Sequence, residues 1–148
     1  MDVVPVHSIK SGIRRDLMLA LLFLVAFLFN CPTVSALTDG EIQSAQREIS
    51  GRPTGERIVF WAEKFLGAPY DPDPEGEYVT RKVIVADEHV DCMYLAFRSL
   101  ELALGQSPQE SLDIALDKRF RNRGVVDGST VMNYEDRFEY GEDMIDSG

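Results

Sequence analysis

Cys92 is the residue of this sequence whose type and position favour covalent chemistry. It follows Asp91 and opens an apolar segment, residues 92–104, that Gly105 ends. Asp is a favoured N-cap and Gly is favoured just past a helix end, so the segment is predicted to be a helix with a thiol in its first turn. The positive end of a helix favours the thiolate, the nucleophilic form of cysteine. The pattern also fits a structural cysteine, because free cysteines are often buried.

The beginning of the sequence has the pattern of a secretory signal peptide. Basic side chains precede an uninterrupted apolar run at residues 17–29, and small residues lead up to a predicted cleavage site after Ala36. The run is shorter than the roughly 20 residues that cross a bilayer as a helix, so no stable membrane insertion is expected once residues 1–36 are removed. An uncleaved anchor is the alternative. We expect an exported protein of the periplasm, cell envelope or extracellular space, with one domain at residues 37–148.

Net charge and cysteine count limit the partners and the chemistry of this domain. The formal net charge of the chain is −10, which argues against nucleic acid or an anionic membrane surface as a partner. Cys31 would leave with the signal peptide, so Cys92 would be solitary and could form no internal disulfide. A solitary thiol in an oxidising compartment is either buried and inert or functional. The absence of a disulfide partner therefore favours the interpretation of Cys92 as a nucleophile.

Capping residues and hydrophobic spacing predict two helices before the cysteine helix. Thr38 and Glu41 have the spacing of a capping box, which predicts a helix running to about Ile49. Residues 56–66 carry apolar side chains at helical spacings, and Thr54 is positioned to cap them.

The elements around and after the cysteine helix are less regular. Residues 78–86 are rich in β-branched side chains and are predicted to be a strand or an extended pair of segments. Ser107 begins a helix-start sequence with proline at the first helical position, and this helix is expected to end near Lys118. Asp127 and Gly128 then form a turn signal.

A calcium-binding loop is a possible interpretation of the acidic residues Asp71, Asp73 and Glu75, which stand at alternate positions before Gly76. Such a loop needs a bidentate glutamate at its twelfth position, where this sequence has Lys82. A solvated acidic loop is the preferred interpretation. No metal and no other cofactor is expected.

Three segments together resemble a family of cell-wall cysteine peptidases. Residues 66–70, Leu-Gly-Ala-Pro-Tyr after a predicted helix, are similar to the opening motif of NlpC-type peptidases, and Asp91 with Cys92 resembles their nucleophile motif. Residues 116–124 and 134–146 are more specifically similar to the N-acetylmuramoyl-L-alanine amidase-like branch of that superfamily. The resemblance covers most of the expected mature chain.

This resemblance implies a papain-like α+β fold, in which the nucleophile-bearing helix packs on an antiparallel sheet. It implies that Cys92 attacks an amide carbon of a bacterial peptidoglycan stem peptide and forms an acyl-enzyme that water resolves. Tyr70 would border the substrate pocket, and Asp91 would bind the free amine or polar groups of peptidoglycan or muropeptide fragments. The family's downstream half is missing from this sequence, so the domain is expected to be partial and the sheet incomplete at its C-terminal end.

The general base is where the sequence departs from the family. The family's histidine follows the cysteine along the chain, whereas the histidine of the expected mature chain, His89, precedes Cys92. His89 is one candidate base, and an exposed residue at a strand end is its plainer interpretation. Glu139 stands where the family has its histidine and is the other candidate. An ordinary glutamate, with a pKa of about 4.3, is a weak base for a thiol whose ordinary pKa is about 8.5.

Three functions therefore stay open at the level of sequence. The first is an exported cysteine amidase or peptidase that acts on peptidoglycan. The second is a degenerate, non-catalytic relative that binds cell-wall fragments or a partner protein in the envelope. The third is an acidic envelope protein in which Cys92 belongs to the core.

Overall fold

The computed structural model describes residues 36–139. The predicted signal peptide, except for its last residue, lies outside the described residues, as does the stretch 140–148. The described elements are α1 (Asp39–Ile49), α2 (Thr54–Lys64), α3 (Glu77–Thr80), α4 (Cys92–Leu104), α5 (Pro108–Lys118), β1 (Val126–Asp127), β2 (Thr130–Val131) and a short 3-10 helix (Tyr134–Asp136). Among these residues, no helix has the length and apolar character needed to cross a membrane.

Helices α1 and α5 begin where their capping residues predict. The Thr38 hydroxyl accepts a hydrogen bond from the backbone N–H of Glu41, and the Glu41 carboxylate accepts one from the backbone N–H of Thr38 at 2.8 Å. The Ser107 hydroxyl accepts from the backbone N–H of Glu110 at 3.1 Å, with Pro108 as the first residue of α5. Both helix starts are confirmed, because these bonds satisfy N–H groups that the helix itself leaves unpaired.

Helix α2 begins earlier than the predicted residues 56–66. Pro53 occupies the N-cap position, and Thr54 is the first helical residue rather than the cap. The Thr54 hydroxyl instead accepts a hydrogen bond from the Arg57 guanidinium at 3.2 Å. A proline with its fixed φ starts this helix without a side-chain cap.

The predicted strand at residues 78–86 is wrong. This stretch begins within α3 and continues through turns, and only Val83 forms a bridge, antiparallel to Thr130. The cause lies outside the stretch, because the buried carboxylate of Asp71 accepts the backbone N–H of Glu77 at 2.6 Å. This contact satisfies an N–H group at the start of α3, a role that β-branched composition cannot reveal.

The sheet consists of β1 and β2, which pair antiparallel with Val126 opposite Val131. Gly128, at φ 61, occupies the turn that the Asp-Gly signal predicts. The expectation of a mixed α+β chain is confirmed at this coarse level. Within the described residues, α4 packs chiefly against α2 and α5.

Helix α4 contributes to a hydrophobic cluster that it shares with α1 and α2. Leu102 and Ala103 of α4 pack there with residues of α1 and α2, namely Ile42, Ile49, Trp61 and Phe65. A second cluster joins α5 to the hairpin and the 3-10 helix through Ile84, Ala115, Leu116, Phe120, Val131 and Tyr134. The cysteine helix is therefore held from more than one side, as its apolar sequence predicts.

Two buried ion pairs anchor the polar residues that interrupt the apolar sequence of α4. Arg98 donates to both carboxylate oxygens of Asp87, each at 3.0 Å. Glu101 accepts from Arg119 at 2.6 and 2.7 Å, and Arg119 also donates to the backbone oxygen of Ile84 at 3.1 Å. Removing one partner of such a pair costs about 3–5 kcal/mol of unfolding free energy, because the other charge stays buried.

Gly105 ends α4 for a different reason from the one that the sequence suggests. Its φ of −70° is accessible to any residue, so no left-handed conformation is required. A side-chain Cβ at this position would approach the Ser111 side chain and lie 2.8 Å from the Ser111 backbone nitrogen. Glycine is therefore needed for the close packing of α4 against α5.

We expect Gly105→Ala to destabilise the protein by about 1–3 kcal/mol through overpacking. Gly55→Ala is the matched control, because a Cβ there meets nothing within 4 Å in the first turn of α2. That control should leave stability unchanged or raise it by up to about 1 kcal/mol through helix propensity. Urea unfolding of both variants measures the difference, and equal stabilities would contradict the close α4–α5 packing.

Candidate functional site

An open cleft with a volume of about 620 Å³ lies at the N-terminal end of α4. Four sequence candidates line it together: Tyr70, Asp91, Cys92 and Glu139. The other lining residues that matter chemically are Asp71, Asp73, Glu75, Tyr78, Met93 and Arg137. Residues far apart in the sequence thus converge on the predicted nucleophile.

Cys92 is exposed and is the first residue of α4. Asp91 caps the helix, since its Oδ1 accepts the backbone N–H of Tyr94 at 2.6 Å. The interpretation of Cys92 as a core cysteine is therefore wrong. A negative charge on sulfur would face the positive end of the helix, where anions are favoured.

One carboxylate oxygen of Asp91 remains available to a ligand in the cleft. While Oδ1 caps α4, Oδ2 has no hydrogen-bond partner within residues 36–139. The acidic loop approaches this oxygen closely at Gly76, where an added Cβ would lie 2.9 Å from Oδ2 and 2.6 Å from the ring of Tyr78. With a φ of 91° as well, this position requires glycine.

Tyr70 reaches the cleft through a short pairing of two loops. Tyr70 and Val90 form a parallel bridge, in which the Asp71 N–H donates to the Val90 oxygen and the Val90 N–H donates to the Pro69 oxygen, both at 3.1 Å. The Tyr70 side chain remains 73% exposed and lines the cleft. The Leu-Gly-Ala-Pro-Tyr motif is thereby placed next to the residue that precedes Asp91.

The acidic loop is held by its own carboxylates. Asp71 is buried and accepts the backbone N–H groups of Asp73 and Glu77, so its interpretation as a solvated residue is wrong. Asp73 accepts the Thr80 hydroxyl at 2.6 Å and the Glu75 N–H, and these hydrogen bonds hold the pKa of Asp73 below its usual value. No set of three or more metal-ligating side chains occurs in the described part of the chain.

His89 is not among the described residues that line the cleft. Its Nδ1 lies 3.0 Å from the Glu77 carboxylate, which also pairs with Arg81 at 2.7 Å. The hydrogen bonds from Arg81 and then from His89 lower the pKa of Glu77. His89 is also half-buried after a turn rather than exposed at a strand end, because the predicted strand does not form.

Glu139 enters the cleft because backbone contacts tie its segment to the turn after α5. Phe120 and Arg137 form an antiparallel bridge, and the Phe138 N–H donates to the Arg119 oxygen at 3.0 Å. Arg137 brings a positive charge to the same cleft and donates from Nη1 to the Phe138 oxygen at 3.1 Å. The structure thus brings the carboxylate of Glu139 into the cleft that contains Cys92.

Sequence reasoning missed Arg137 and Tyr78 as residues of this site. Arg137 lies two residues before Glu139 in the sequence. The spacing that indicated Glu139 as a site residue could therefore also have indicated Arg137. Tyr78 gave no such signal, because its stretch is dominated by β-branched residues and predicts a strand.

Comparison of the chain with protein families, with curated proteins and with solved structures finds no match.

We expect Asp91→Ala to lower the unfolding free energy by about 1 kcal/mol, because the cap of α4 is lost. Asp91→Asn is the matched control, since an asparagine oxygen can accept the same backbone N–H. Urea unfolding compares the two variants with the unmodified chain. If Asp91→Asn is as destabilised as Asp91→Ala, capping by the Asp91 side-chain oxygen is not what stabilises α4.

Proposed function

We propose that this chain is an exported cysteine amidase or peptidase that cleaves an amide bond in peptidoglycan stem peptides. The observation that carries the proposal is the exposed thiol of Cys92 at a capped helix start, opening into a cleft that also holds Glu139 and Arg137. A lone helix-start thiol is a common structural feature, whereas a thiol that shares a cleft with a carboxylate and a guanidinium has the parts of an acyl-transfer site.

The substrate class is supported by the motifs that resemble NlpC-type peptidases. Tyr70, the last residue of the motif at 66–70, lines this cleft together with Asp91 and Cys92, which is consistent with a shared role in one site. A papain-like arrangement is part of the proposal, and the mixed α+β content with a thiol at the start of a central helix is consistent with it. Export is supported by the signal-like pattern of residues 1–36.

The proposed chemistry gives a role to side chains that line the cleft. Glu139 accepts the proton of the Cys92 thiol, and the sulfur bonds to the amide carbon while the carbonyl electrons move onto oxygen. When the carbonyl re-forms, the C–N bond breaks and the amine leaves with the proton from Glu139. Water then hydrolyses the thioester. Tyr70 borders the substrate, and the open oxygen of Asp91 accepts a free amine of the stem.

A non-catalytic relative that binds wall fragments or a partner protein is the second candidate. It is favoured by the position of His89, which pairs with Glu77 and does not contribute to the described lining of the cleft. A carboxylate is then the remaining base, and carboxylates are poorly matched to thiols in proton affinity. The cleft would in that case bind stem peptides without cutting them.

Digestion of purified peptidoglycan, followed by the appearance of new amino groups, separates the two candidates. Cys92→Ala should abolish digestion, and Glu139→Gln should slow it by about 100-fold or more, the usual contribution of a general base. His89→Ala serves as the matched comparison for the base and should digest at the unmodified rate.

Three outcomes would contradict parts of this proposal. Activity that survives Cys92→Ala excludes Cys92 as the nucleophile. Activity lost in His89→Ala but kept in Glu139→Gln reverses the assignment of the base. Retention of peptidoglycan fragments by an unmodified chain that releases no amino groups supports the binding protein instead.

A further inference from the structure

A second cavity, with a volume of about 450 Å³, lies at the C-terminal end of α4. Residues of α1, of α2 and of the turn after α4 line it, and we call it the α1–α2 cavity. It shares no described lining residue with the Cys92 cleft, which lies at the other end of α4. Its volume falls within the range of about 300–1,000 Å³ that is typical of small-ligand sites.

The charge of the α1–α2 cavity is opposite to that of the chain as a whole. The chain has a formal net charge of −10, whereas the described lining contains Arg47 and Arg57 and no acidic residue. Neither guanidinium forms an ion pair within residues 36–139, and Arg57 donates only to the Thr54 hydroxyl at 3.2 Å. A concave surface that carries two unpaired cations attracts an anionic ligand.

Helix geometry explains the position of one of these arginines but not of the other. Arg47 lies in the last turn of α1, where the helix dipole favours a positive charge. Arg57 is the fourth residue of α2, near the positive end of that helix, where the dipole disfavours a positive charge. An anion bound in the cavity would offset this unfavourable placement of Arg57.

Two buried polar atoms of the lining residues, Gln46 Oε1 and Arg57 Nε, have no hydrogen-bond partner in the described region. Gln46 is only 4% exposed, and its Nε2 donates to Ser111 Oγ at 2.9 Å and to the Leu102 oxygen at 3.3 Å. These bonds fix the orientation of the amide, because a reversed amide would set its oxygen against the Leu102 oxygen. Buried polar groups are normally paired, so the two atoms require an explanation.

The two unpaired atoms together define the chemistry of the missing partner. Gln46 Oε1 accepts and Arg57 Nε donates, yet the two atoms do not bond to each other. A ligand that carries both a donor and a negatively charged acceptor can pair with both atoms. A chloride or sulfate ion supplies the charge but not the donor.

We propose that the α1–α2 cavity binds the C-terminal end of a peptide. The terminal carboxylate pairs with Arg47 and Arg57, and the N–H of the last peptide residue donates to Gln46 Oε1. Leu104, which is 38% exposed and lines the cavity, offers an apolar contact to a small side chain. The inference does not depend on the proposed function, because no residue of the Cys92 cleft takes part in it.

An NMR titration of the backbone amides of the full chain with N-acetyl-L-alanyl-L-alanine tests this site. Chemical-shift changes should concentrate at residues 46–57 and 104–106 and be absent at residues 91–93. N-acetyl-L-alanyl-L-alaninamide, which lacks the carboxylate, should bind about tenfold more weakly or less. N-acetyl-L-alanyl-L-lactate has an ester oxygen in place of the last N–H and should also bind about tenfold more weakly, because Gln46 Oε1 then stays unpaired.

Arginine variants test the two cations separately. Arg47→Gln should bind the dipeptide about fivefold more weakly or less, and Arg57→Lys, which keeps the charge but lacks Nε, should show a similar loss. Arg52→Gln is the matched control, because Arg52 carries the same charge near the same end of α1, pairs with Glu48 at 3.6 Å and is not among the described lining residues. This control should bind the dipeptide as the unmodified chain does, and unchanged amide shifts away from each substitution verify the fold.

A peptide C-terminus can come from a protein or from a peptidoglycan stem peptide. Proteins end in an L-residue, whereas stem peptides can end in D-alanine, so the tighter binding of the L,L or the D,D form of the dipeptide identifies the source. Absence of binding by both forms, equal affinities for the dipeptide and its amide, or equal losses in Arg47→Gln and Arg52→Gln would overturn the inference. Digestion of peptidoglycan is measured separately, and its result supports or contradicts the proposed function alone.

Discussion

The position of Cys92 depends on the buried ion pairs of the helix that carries it. Arg98 pairs with Asp87 before the helix, and Glu101 pairs with Arg119 after α5, each through two short hydrogen bonds. Two-pronged arginine–carboxylate contacts fix orientation as well as distance. Because a shift of α4 would leave buried charges unpaired, the helix has one favourable position relative to both segments.

The same contacts organise the walls of the cleft. The backbone oxygen of Arg119 accepts the N–H of Phe138, so the ion pair that holds α4 also holds the segment bearing Arg137 and Glu139. On the other side, Asp71 organises the acidic loop that brings Tyr78 to the cleft. Residues from three separate segments thus meet at one helix end, although no large sheet supports them in the described region.

Local signals explain which parts of this structure could be predicted from sequence. Helices α1, α4 and α5 carry their own caps, and their starts are correctly predicted. The structure of residues 78–86 is not correctly predicted, because the start of α3 is supported by the buried carboxylate of Asp71, which lies outside that stretch. The pairing of His89 with Glu77 could not be predicted either, because Glu77 begins α3, a helix that the sequence pattern does not reveal. For Glu139, spacing indicated the location, whereas its chemical role remains a prediction.

The most direct test of the account is to trap the covalent intermediate. The unmodified chain is mixed with soluble muropeptides, the reaction is stopped with acid at short times, and the peptides of the chain are analysed by mass spectrometry. We predict a muropeptide-derived acyl group on Cys92, attached through a thioester that hydroxylamine removes. Cleaved muropeptides without any adduct on Cys92, or an acyl group on a different residue, would contradict Cys92 as the nucleophile.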